Sequence, residues 1–304
     1  MPGHIARAID WVETNSPPVS VVCDYDNLRE LLDQFTRTIN GKRASANYFK
    51  AKRTILYNTL KRAVVNQLID TNPLDDPVLN WEKPAGLDTD DVVDPRSVGN
   101  TNQVEAMLTG VTYIGRDRGP HLMAFYACMY YAMMRPSEVI ELKEDDCELP
   151  RTGWGELVIH GAAPEVGSIY TDTGASHDEK GLKGRNPKTT RTVPIPPRLV
   201  ELLRAHLDRY STAPDGRLFY TRTGNRIGAN AYRTTWRLAR QYGMSKKGRN
   251  SGRLKRSYDL RHSGISLRRT AGVPSKQVAE WAGHTVEVLE GYEKRWQNQM
   301  NEFF

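Results

Sequence analysis

The feature that most limits how this chain can fold is the apolar segment 118–134. Its inner part, 122–134, is the longest strongly apolar run of the 304-residue sequence, and it is too short to cross a bilayer. The segment has the length of a helix and is apolar almost all round, so the helix that it predicts has to be buried. We therefore expect a domain whose other elements pack around this helix.

The rest of the pattern predicts a mainly α-helical chain with a small antiparallel β-sheet. Apolar residues recur at three- and four-residue intervals over 45–70, with basic residues between them, which predicts an amphipathic helix that Asn72-Pro73-Leu74 ends. The stretches 156–160 and 190–195 predict strands, and the polar stretch 167–188 between them predicts a long, irregular hairpin. The other predicted helices span 27–39, 102–109, 136–143, 198–210, 230–242, 259–271, 275–282 and 286–295.

A change of composition divides the chain. From residue 73 to about residue 102 the sequence is rich in Pro and Asp and lacks clear periodicity, which is typical of an interdomain connector. We predict a helical domain over 1–75, a connector over 76–101, a mixed α/β domain over 102–296 and a tail over 297–304.

Charge and cysteine content narrow the classes of function. The chain has 43 Lys and Arg against 36 Asp and Glu, a net charge of +7 that favours a polyanionic partner. Six of the eleven residues from Lys246 to Arg256 are cationic, which suits a solvated loop touching phosphates, or a solvated loop with no partner. Three scattered cysteines, none in a Cys-x-x-Cys pair, argue against a disulfide framework and a zinc site. The N-terminus lacks a secretion signal, so a cytoplasmic protein is expected, with no membrane partner.

Two arginines are candidates for binding a phosphodiester. Its cleavage concentrates negative charge on the equatorial oxygens, which the forked donors of guanidiniums stabilise well. Arg135 lies between the apolar helix and a proline, at a helix junction, where Glu138 can hold its guanidinium by a hydrogen bond. Arg261 lies in the first turn of a predicted helix with Asp259 as its N-cap, and the free amides of that turn also favour an anion.

A histidine and a tyrosine near the C-terminus complete the candidate set. His284 follows Gly283 at another predicted helix start, where its imidazole can donate to a non-bridging phosphate oxygen. Tyr292 is the candidate nucleophile, and it needs nearby positive charge or a base because the pKa of a free phenol is about 10.

Four groups of residues, taken in order, resemble the motifs of the tyrosine recombinase (phage integrase) family. They are Arg135-Pro136-Ser137-Glu138, Tyr258-Asp259-Leu260-Arg261-His262, Ala282-Gly283-His284 and Tyr292. The sequence around these motifs is most similar to that of integrases of actinobacterial phages and integrative plasmids. These share Gly181-Leu182-Lys183, Arg191-Thr192-Val193-Pro194-Ile195-Pro196 and Val278-Ala279-Glu280-Trp281. The resemblance is strong over residues 100–296 and less specific over 45–74, which is similar to the end of the family's helical core-binding domain.

The resemblance implies a site-specific recombinase that cleaves and rejoins DNA through a covalent 3′-phosphotyrosine. It implies a helical core-DNA-binding domain and a catalytic domain that close as a C-shaped clamp on duplex DNA. It further implies strand exchange within a homotetramer on DNA attachment sites, with no metal or nucleotide cofactor, and it is compatible with an accessory directionality factor.

The family's catalytic roles carry over motif by motif. Arg135, Arg261 and His284 are expected on the scissile phosphate, and Tyr292 as the nucleophile. A lysine on the β-hairpin protonates the leaving 5′-oxygen in the family; Lys183 matches the Gly-Leu-Lys wording and is favoured here, and Lys188, closer to the following strand, is the alternative. Glu138 and Tyr258 are expected to support the site. The cations expected to contact DNA are Lys50, Arg53, Lys61, Lys246, Lys247, Arg249 and Arg253.

Three features depart from the family's usual pattern. Tyr258 stands where the family usually has His or Lys, at a position thought to help relay the nucleophile's proton. From His284 to Tyr292 there are eight steps where nine are typical, and one residue on a helix is about 100° of rotation. Few residues precede the first predicted helix, so a separate arm-type DNA-binding domain is expected to be absent. A DNA-binding remnant of an integrase that no longer cleaves DNA is therefore the main alternative. A strand-swivelling topoisomerase is disfavoured, because the sequence motifs are those of integrases.

Overall fold

The computed structural model describes residues 3–87, 95–168, 174–182, 189–287 and 289. The chain divides into two compact units, unit 1 over Met1–Asp91 and unit 2 over Val92–Phe304. The division falls inside the stretch predicted as a connector. Within the described ranges, no helix is both long enough and apolar enough to span a membrane.

Unit 1 is helical, and each of its two packed helices begins at a side-chain cap. Asp24 accepts hydrogen bonds from the backbone N–H groups of the first turn of one helix, and Ser45 does so for the next. The amphipathic helix predicted over 45–70 ends early, because Gln67 takes a left-handed conformation with a φ of 58°. A further helix near the N-terminus was not predicted, and none of its residues is buried. The helices are α1 (Gly3–Asn15), α2 (Tyr25–Phe35) and α3 (Ala46–Val65).

Unit 2 is built around the apolar helix, as the sequence predicts. That helix is buried along nearly its whole length and packs against five other helices of the unit. A Cβ on Gly264 would lie 1.9 Å from the backbone oxygen of Tyr130, so the glycine permits the closest of these approaches. The helices are α4 (Thr101–Thr112), α5 (Arg118–Tyr131, the apolar helix), α6 (Pro136–Glu141), α7 (Pro197–Tyr210), α8 (Ala229–Gly243), α9 (Lys246–Asn250), α10 (Asp259–Thr270) and α11 (Ser275–Ala282).

A three-stranded antiparallel sheet, in the order β1-β2-β3, completes the described part of unit 2. The strands are β1 (Cys147–Glu148), β2 (Gly155–Ile159) and β3 (Arg191–Ile195), with Leu157 opposite Val193. Both residues are fully buried, so this face of the sheet covers the core. The sequence predicts β2 and β3, whereas the two-residue β1 was missed because it is too short to show alternation. The fold class predicted from the sequence, mainly helical with a small antiparallel sheet, is confirmed.

The basic stretch 246–256 has mostly exposed side chains and an anchored backbone. It begins with α9, and Leu254 is fully buried with a left-handed φ of 47°. The indole N–H of Trp236 donates to the Leu254 carbonyl over 2.9 Å, and the Arg240 guanidinium donates to several carbonyls of the stretch, including that of Arg249 at 2.9 Å. Most side chains of the stretch are exposed, as expected of a solvated segment, while two side chains of α8 anchor its backbone.

Candidate active site

The structure describes some of the predicted site residues and not others. Arg135, Glu138, Arg261 and His284 are all described and lie in unit 2. The predicted nucleophile and both candidate lysines, which are Tyr292, Lys183 and Lys188, lie outside the described residues.

A buried carboxylate is the centre of the described site. Glu138, in the first turn of α6, accepts a hydrogen bond from the backbone N–H of Arg135 over 2.7 Å and another from that residue's Nη1 over 2.8 Å. The hydrogen bond predicted between these two side chains is thus present. A second guanidinium, that of Arg191 on β3, donates to both oxygens of the same carboxylate, over 3.1 and 2.8 Å. The Nη1 atom of Arg261 lies 4.0 Å from it.

Electrostatics keep this carboxylate ionised. Burial alone acts to raise the pKa of Glu138, but Arg191 and then Arg261 and Arg135 overcome that effect and lower the pKa to about 2. Three guanidiniums around one carboxylate leave an excess of positive charge. The site is therefore suited to bind an anion.

Arg261 is completely buried. Its guanidinium donates to the backbone carbonyls of Met133 and Ala282, which joins the ends of α5 and α11. Met133 is a fully buried non-glycine residue with a φ of 53°, a conformation that costs energy and that directs its carbonyl to the arginine. Burial, with the neighbouring charge of Arg135, lowers the pKa of Arg261 to about 10, so it remains protonated at neutral pH.

Gly283 joins the arginines to the predicted histidine. It ends α11 in the left-handed conformation with a φ of 65°, and its carbonyl accepts a hydrogen bond from Arg135 Nη2 over 2.8 Å. A Cβ at this position would lie only 2.4 Å from Arg191 Nη1. Any other residue here would therefore strain the left-handed backbone and clash with Arg191. A guanidinium carries five N–H donors, so the contacts of Arg135 to Glu138 and Gly283 leave it donors for an anion.

The two histidines of the region are held neutral. Burial, followed by repulsion from Arg261 and Arg135, lowers the pKa of His284 to about 3. Burial and the charges of Arg261 and Arg256 lower that of His262 to about 4. At neutral pH each imidazole is therefore uncharged, and His284 would act on a phosphate as a neutral N–H donor.

Tyr258 lies beside the site, immediately before α10, and its side chain makes no capping hydrogen bond to that helix. Its ring meets that of His262 edge-on, with the ring centres 5.1 Å apart. The prediction that Asp259 is the N-cap of the helix is wrong, because the helix begins at Asp259 itself and Tyr258 occupies the cap position. The buried Asp259 carboxylate instead accepts hydrogen bonds from the backbone and guanidinium of Arg256, over 2.8 and 3.1 Å.

Arg191 is the residue of this site that the sequence reasoning missed. The sequence places Arg191 in a predicted strand and in a segment shared with relatives, but it gives the residue no role in the site. The usable signal was its position in an alternating strand, since Arg191 shares the buried face of β3 with Val193 and Ile195 and therefore needs a buried counter-charge.

The cations predicted to contact DNA lie on the surfaces of the two units. In unit 1, Lys50, Arg53 and Lys61 are exposed on α3. In unit 2, the exposed side chains include Lys246, Lys247 and Arg249, and Arg253 is partly buried. These positions are accessible to a polyanion.

The chain resembles a known integrase in sequence, although it matches no family model. No model of a protein family matches its sequence. The integrase of Mycobacterium phage L5 is 33% identical to it over 236 residues, which make up 75% of this chain and 54% of that protein. The chain thus spans about half the length of the curated relative that it matches.

Solved structures share the fold. The Tn1549 transposon integrase in complex with transposon right end DNA matches with a TM-score of 0.68 at 16% identity, over 98% of this chain and 92% of that chain. The XerH site-specific recombinase bound to palindromic difH substrate matches with a TM-score of 0.63 at 17% identity, over 92% and 71% of the two chains. At these identities the likeness establishes the architecture of the chain.

Proposed function

We propose that this chain, which belongs to the tyrosine recombinase family, is a site-specific DNA recombinase that integrates or excises a mobile element. The observation that carries the proposal is the cluster around Glu138. That carboxylate holds guanidiniums from distant parts of the chain, and Arg135 reaches Gly283, 148 residues away, beside His284. Such a cluster concentrates positive charge where a scissile phosphate would need it.

In the proposed reaction, a phosphoryl group of the DNA is transferred to the enzyme and then back to DNA. The Tyr292 oxygen attacks phosphorus, the bond to the 5′-oxygen breaks, and the DNA is left joined to the enzyme as a 3′-phosphotyrosine. The phenol gives up its proton and the leaving 5′-oxygen gains one, so no oxidant, reductant or nucleotide is consumed. Attack on this ester by a 5′-hydroxyl of another strand reverses the step and completes the exchange.

The described residues stabilise that transfer. Arg135 and Arg261 would neutralise the equatorial oxygens of the phosphorane, and His284 would donate to a non-bridging oxygen. Glu138 and Arg191 would not touch the DNA. Glu138 holds the guanidinium of Arg135 in place, and Arg191 in turn holds Glu138. The family resemblance assigns proton donation to Lys183, with Lys188 as the alternative.

Duplex DNA is the proposed partner. The exposed cations of α3 and of the α9 stretch would contact phosphates, and each contact adds to the salt dependence of binding. Cleavage of paired attachment sites implies assembly of a homotetramer on DNA, and an accessory factor would set the direction. A cytoplasmic location follows from such a substrate.

Covalent trapping tests the proposal. A duplex that the protein selects from a randomised pool is nicked near the site of cleavage, so that the cleaved product diffuses away and the adduct accumulates. The expected result is a protease-sensitive protein–DNA adduct that Tyr292→Phe eliminates and that the matched change at an exposed tyrosine, Tyr242→Phe, leaves intact. Specific binding without an adduct would refute the enzyme and favour the non-cleaving remnant.

A further inference from the structure

The net positive charge of the chain comes from one continuous part of unit 1. Residues 34–69 contain eight lysines and arginines but no aspartate or glutamate, and the whole chain has a net charge of +7. We call these residues the acid-free segment; its cations are Arg37, Lys42, Arg43, Lys50, Lys52, Arg53, Lys61 and Arg62. A solvated surface ordinarily mixes both signs of charge, so a surface with cations alone is suited to a polyanion.

The acid-free segment forms a compact hairpin between α2 and α3. We call residues 36–44 the α2–α3 hairpin. The N–H of Thr38 donates to the carbonyl of Lys42 over 2.7 Å, and the N–H of Gly41 donates to the carbonyl of Thr38 over 2.9 Å. Gly41 is left-handed, with a φ of 72°, as in the common hairpin loop in which a tight turn precedes a left-handed residue. Ala44 is buried, so the hairpin is anchored at its base.

An apolar side chain lies at the tip of this hairpin. Ile39, at the first corner of the turn, is 96% exposed, more than any other large apolar side chain among the described residues. The turn itself does not require isoleucine, since Gly, Pro, Asn, Asp and Ser dominate tight turns. Single exposed apolar residues are common, but this one lies between two exposed cations, Arg37 and Lys42, one on each strand of the hairpin. The tip thus combines an apolar point with flanking positive charge.

We propose that the α2–α3 hairpin enters the minor groove of duplex DNA and inserts Ile39 as a wedge between two base pairs. The inference rests on the proposed function only in taking duplex DNA as the partner. Proteins that bend DNA insert apolar side chains, isoleucine among them, between base steps from the minor groove. Arg37 and Lys42 would neutralise the phosphates on either side of that groove. The inserted side chain unstacks one base step and kinks the duplex there.

Charge and continuity favour DNA over a second protein as the occupant of this surface. Lysine is depleted at protein–protein interfaces, whereas cations beside an apolar tip suit a groove lined by phosphates. The Nζ atom of Lys52, on α3, lies 3.5 Å from the carbonyl oxygen of Arg37. The hairpin is therefore continuous with the surface of α3 on which Lys50 and Arg53 are proposed to contact phosphates.

The wedge gives the protein a means of selecting sequence without hydrogen bonds to bases. Pyrimidine–purine steps such as TA and CA unstack more easily than other steps, so a kink at such a step costs less free energy. We therefore expect the step that Ile39 enters to be of this kind.

The experiment measures base unstacking and affinity separately. The duplex is the one that the protein selects from a randomised pool, and 2-aminopurine, which fluoresces more strongly when it is unstacked, replaces each adenine in turn. At saturating protein, the wild type should raise the fluorescence at one base step. Ile39→Ala should remove that rise and weaken binding by about 3- to 10-fold, and Ile39→Leu should restore both. Because Ile39 is almost fully exposed, these changes leave the fold of unit 1 intact.

Two further variants separate the wedge from other effects. Val78→Ala, at another apolar side chain of unit 1 that is 64% exposed, is the matched control and should change neither the fluorescence nor the affinity. Lys42→Ala removes a phosphate contact but keeps the wedge. It should lower the salt dependence of binding by about one unit in the slope of log K against log salt, while the fluorescence at saturation persists.

The outcomes distinguish the wedge from the proposed function. Saturated binding with no rise in fluorescence at any position, or with a rise that Ile39→Ala keeps, would overturn the inference and leave the recombinase assignment intact. Self-association without DNA that Ile39→Ala abolishes would assign the tip to a protein contact and overturn it as well. A rise that depends on Ile39, in a protein that forms no covalent adduct, would support the wedge and refute the enzyme. Failure of the wild type to select any duplex would overturn both.

Discussion

Replacing Glu138 by Gln is the sharpest test of how the site is built. The amide has nearly the same shape but no charge, so it leaves the guanidiniums of Arg191 and Arg261 in the interior without their counter-charge. Glutamine also presents an N–H₂ group where the carboxylate oxygens accept hydrogen bonds. We expect a large loss of stability in unit 2.

Two routes give the size of the effect. A pKa held at about 2, against the usual 4.5, corresponds to a stabilisation of about 3 kcal/mol at neutral pH. Removal of one partner from a buried ion pair costs about 3 to 5 kcal/mol. Because the pKa of Glu138 is depressed in the folded chain, its contribution is complete above about pH 4.5 and disappears as the pH falls towards 2.

The assay has to report on unit 2 alone, since a chain of two units need not unfold in one step. The denaturant dependence of hydrogen exchange in α5 and α10 meets this need. Glu138→Gln should lower the free energy of opening there by about 3 kcal/mol at pH 7. The matched control is Glu201→Gln, at an exposed carboxylate 3.7 Å from Arg198, which should change it by less than about 0.5 kcal/mol. A loss below about 1 kcal/mol in Glu138→Gln would refute the view that this carboxylate holds the site together.

Three further predictions follow from single contacts. Gly283→Ala should lower the unfolding temperature and abolish adduct formation, because the left-handed backbone and the 2.4 Å approach to Arg191 exclude a Cβ; wild-type adduct yield would contradict this. Burial lowers the pKa of His206 and of His121, the latter to about 4, so stability is complete above about pH 6.5 and should fall as the pH drops towards 4. Urea midpoints measured across that range should fall less in His121→Phe than in the wild type. Arg240→Ala should speed hydrogen exchange in α9, whose carbonyls it holds, with α5 unchanged in the same mass spectra.

Much of the fold was accessible from the sequence because its signals are local. The uninterrupted apolar run predicts the buried helix α5, and alternation predicts β2 and β3 within one residue of their observed bounds. The unpredicted α1 buries no residue, so no packing requirement marks it in the sequence. The anchoring of the basic stretch 246–256 has no local signal, because the side chains that hold its backbone, Trp236 and Arg240, lie on the preceding helix.

The sequence by itself determined the chemical inventory of the protein, because motif order, residue type and hydrophobic period are properties of neighbouring positions. Only the tertiary structure decided which charges pair. Glu138 was expected to hold Arg135, three residues before it, but its strongest buried partner is Arg191, 53 residues further on. A carboxylate out of water needs its counter-charges in space, and only the packing of α6 against β3 determines which arginines reach it.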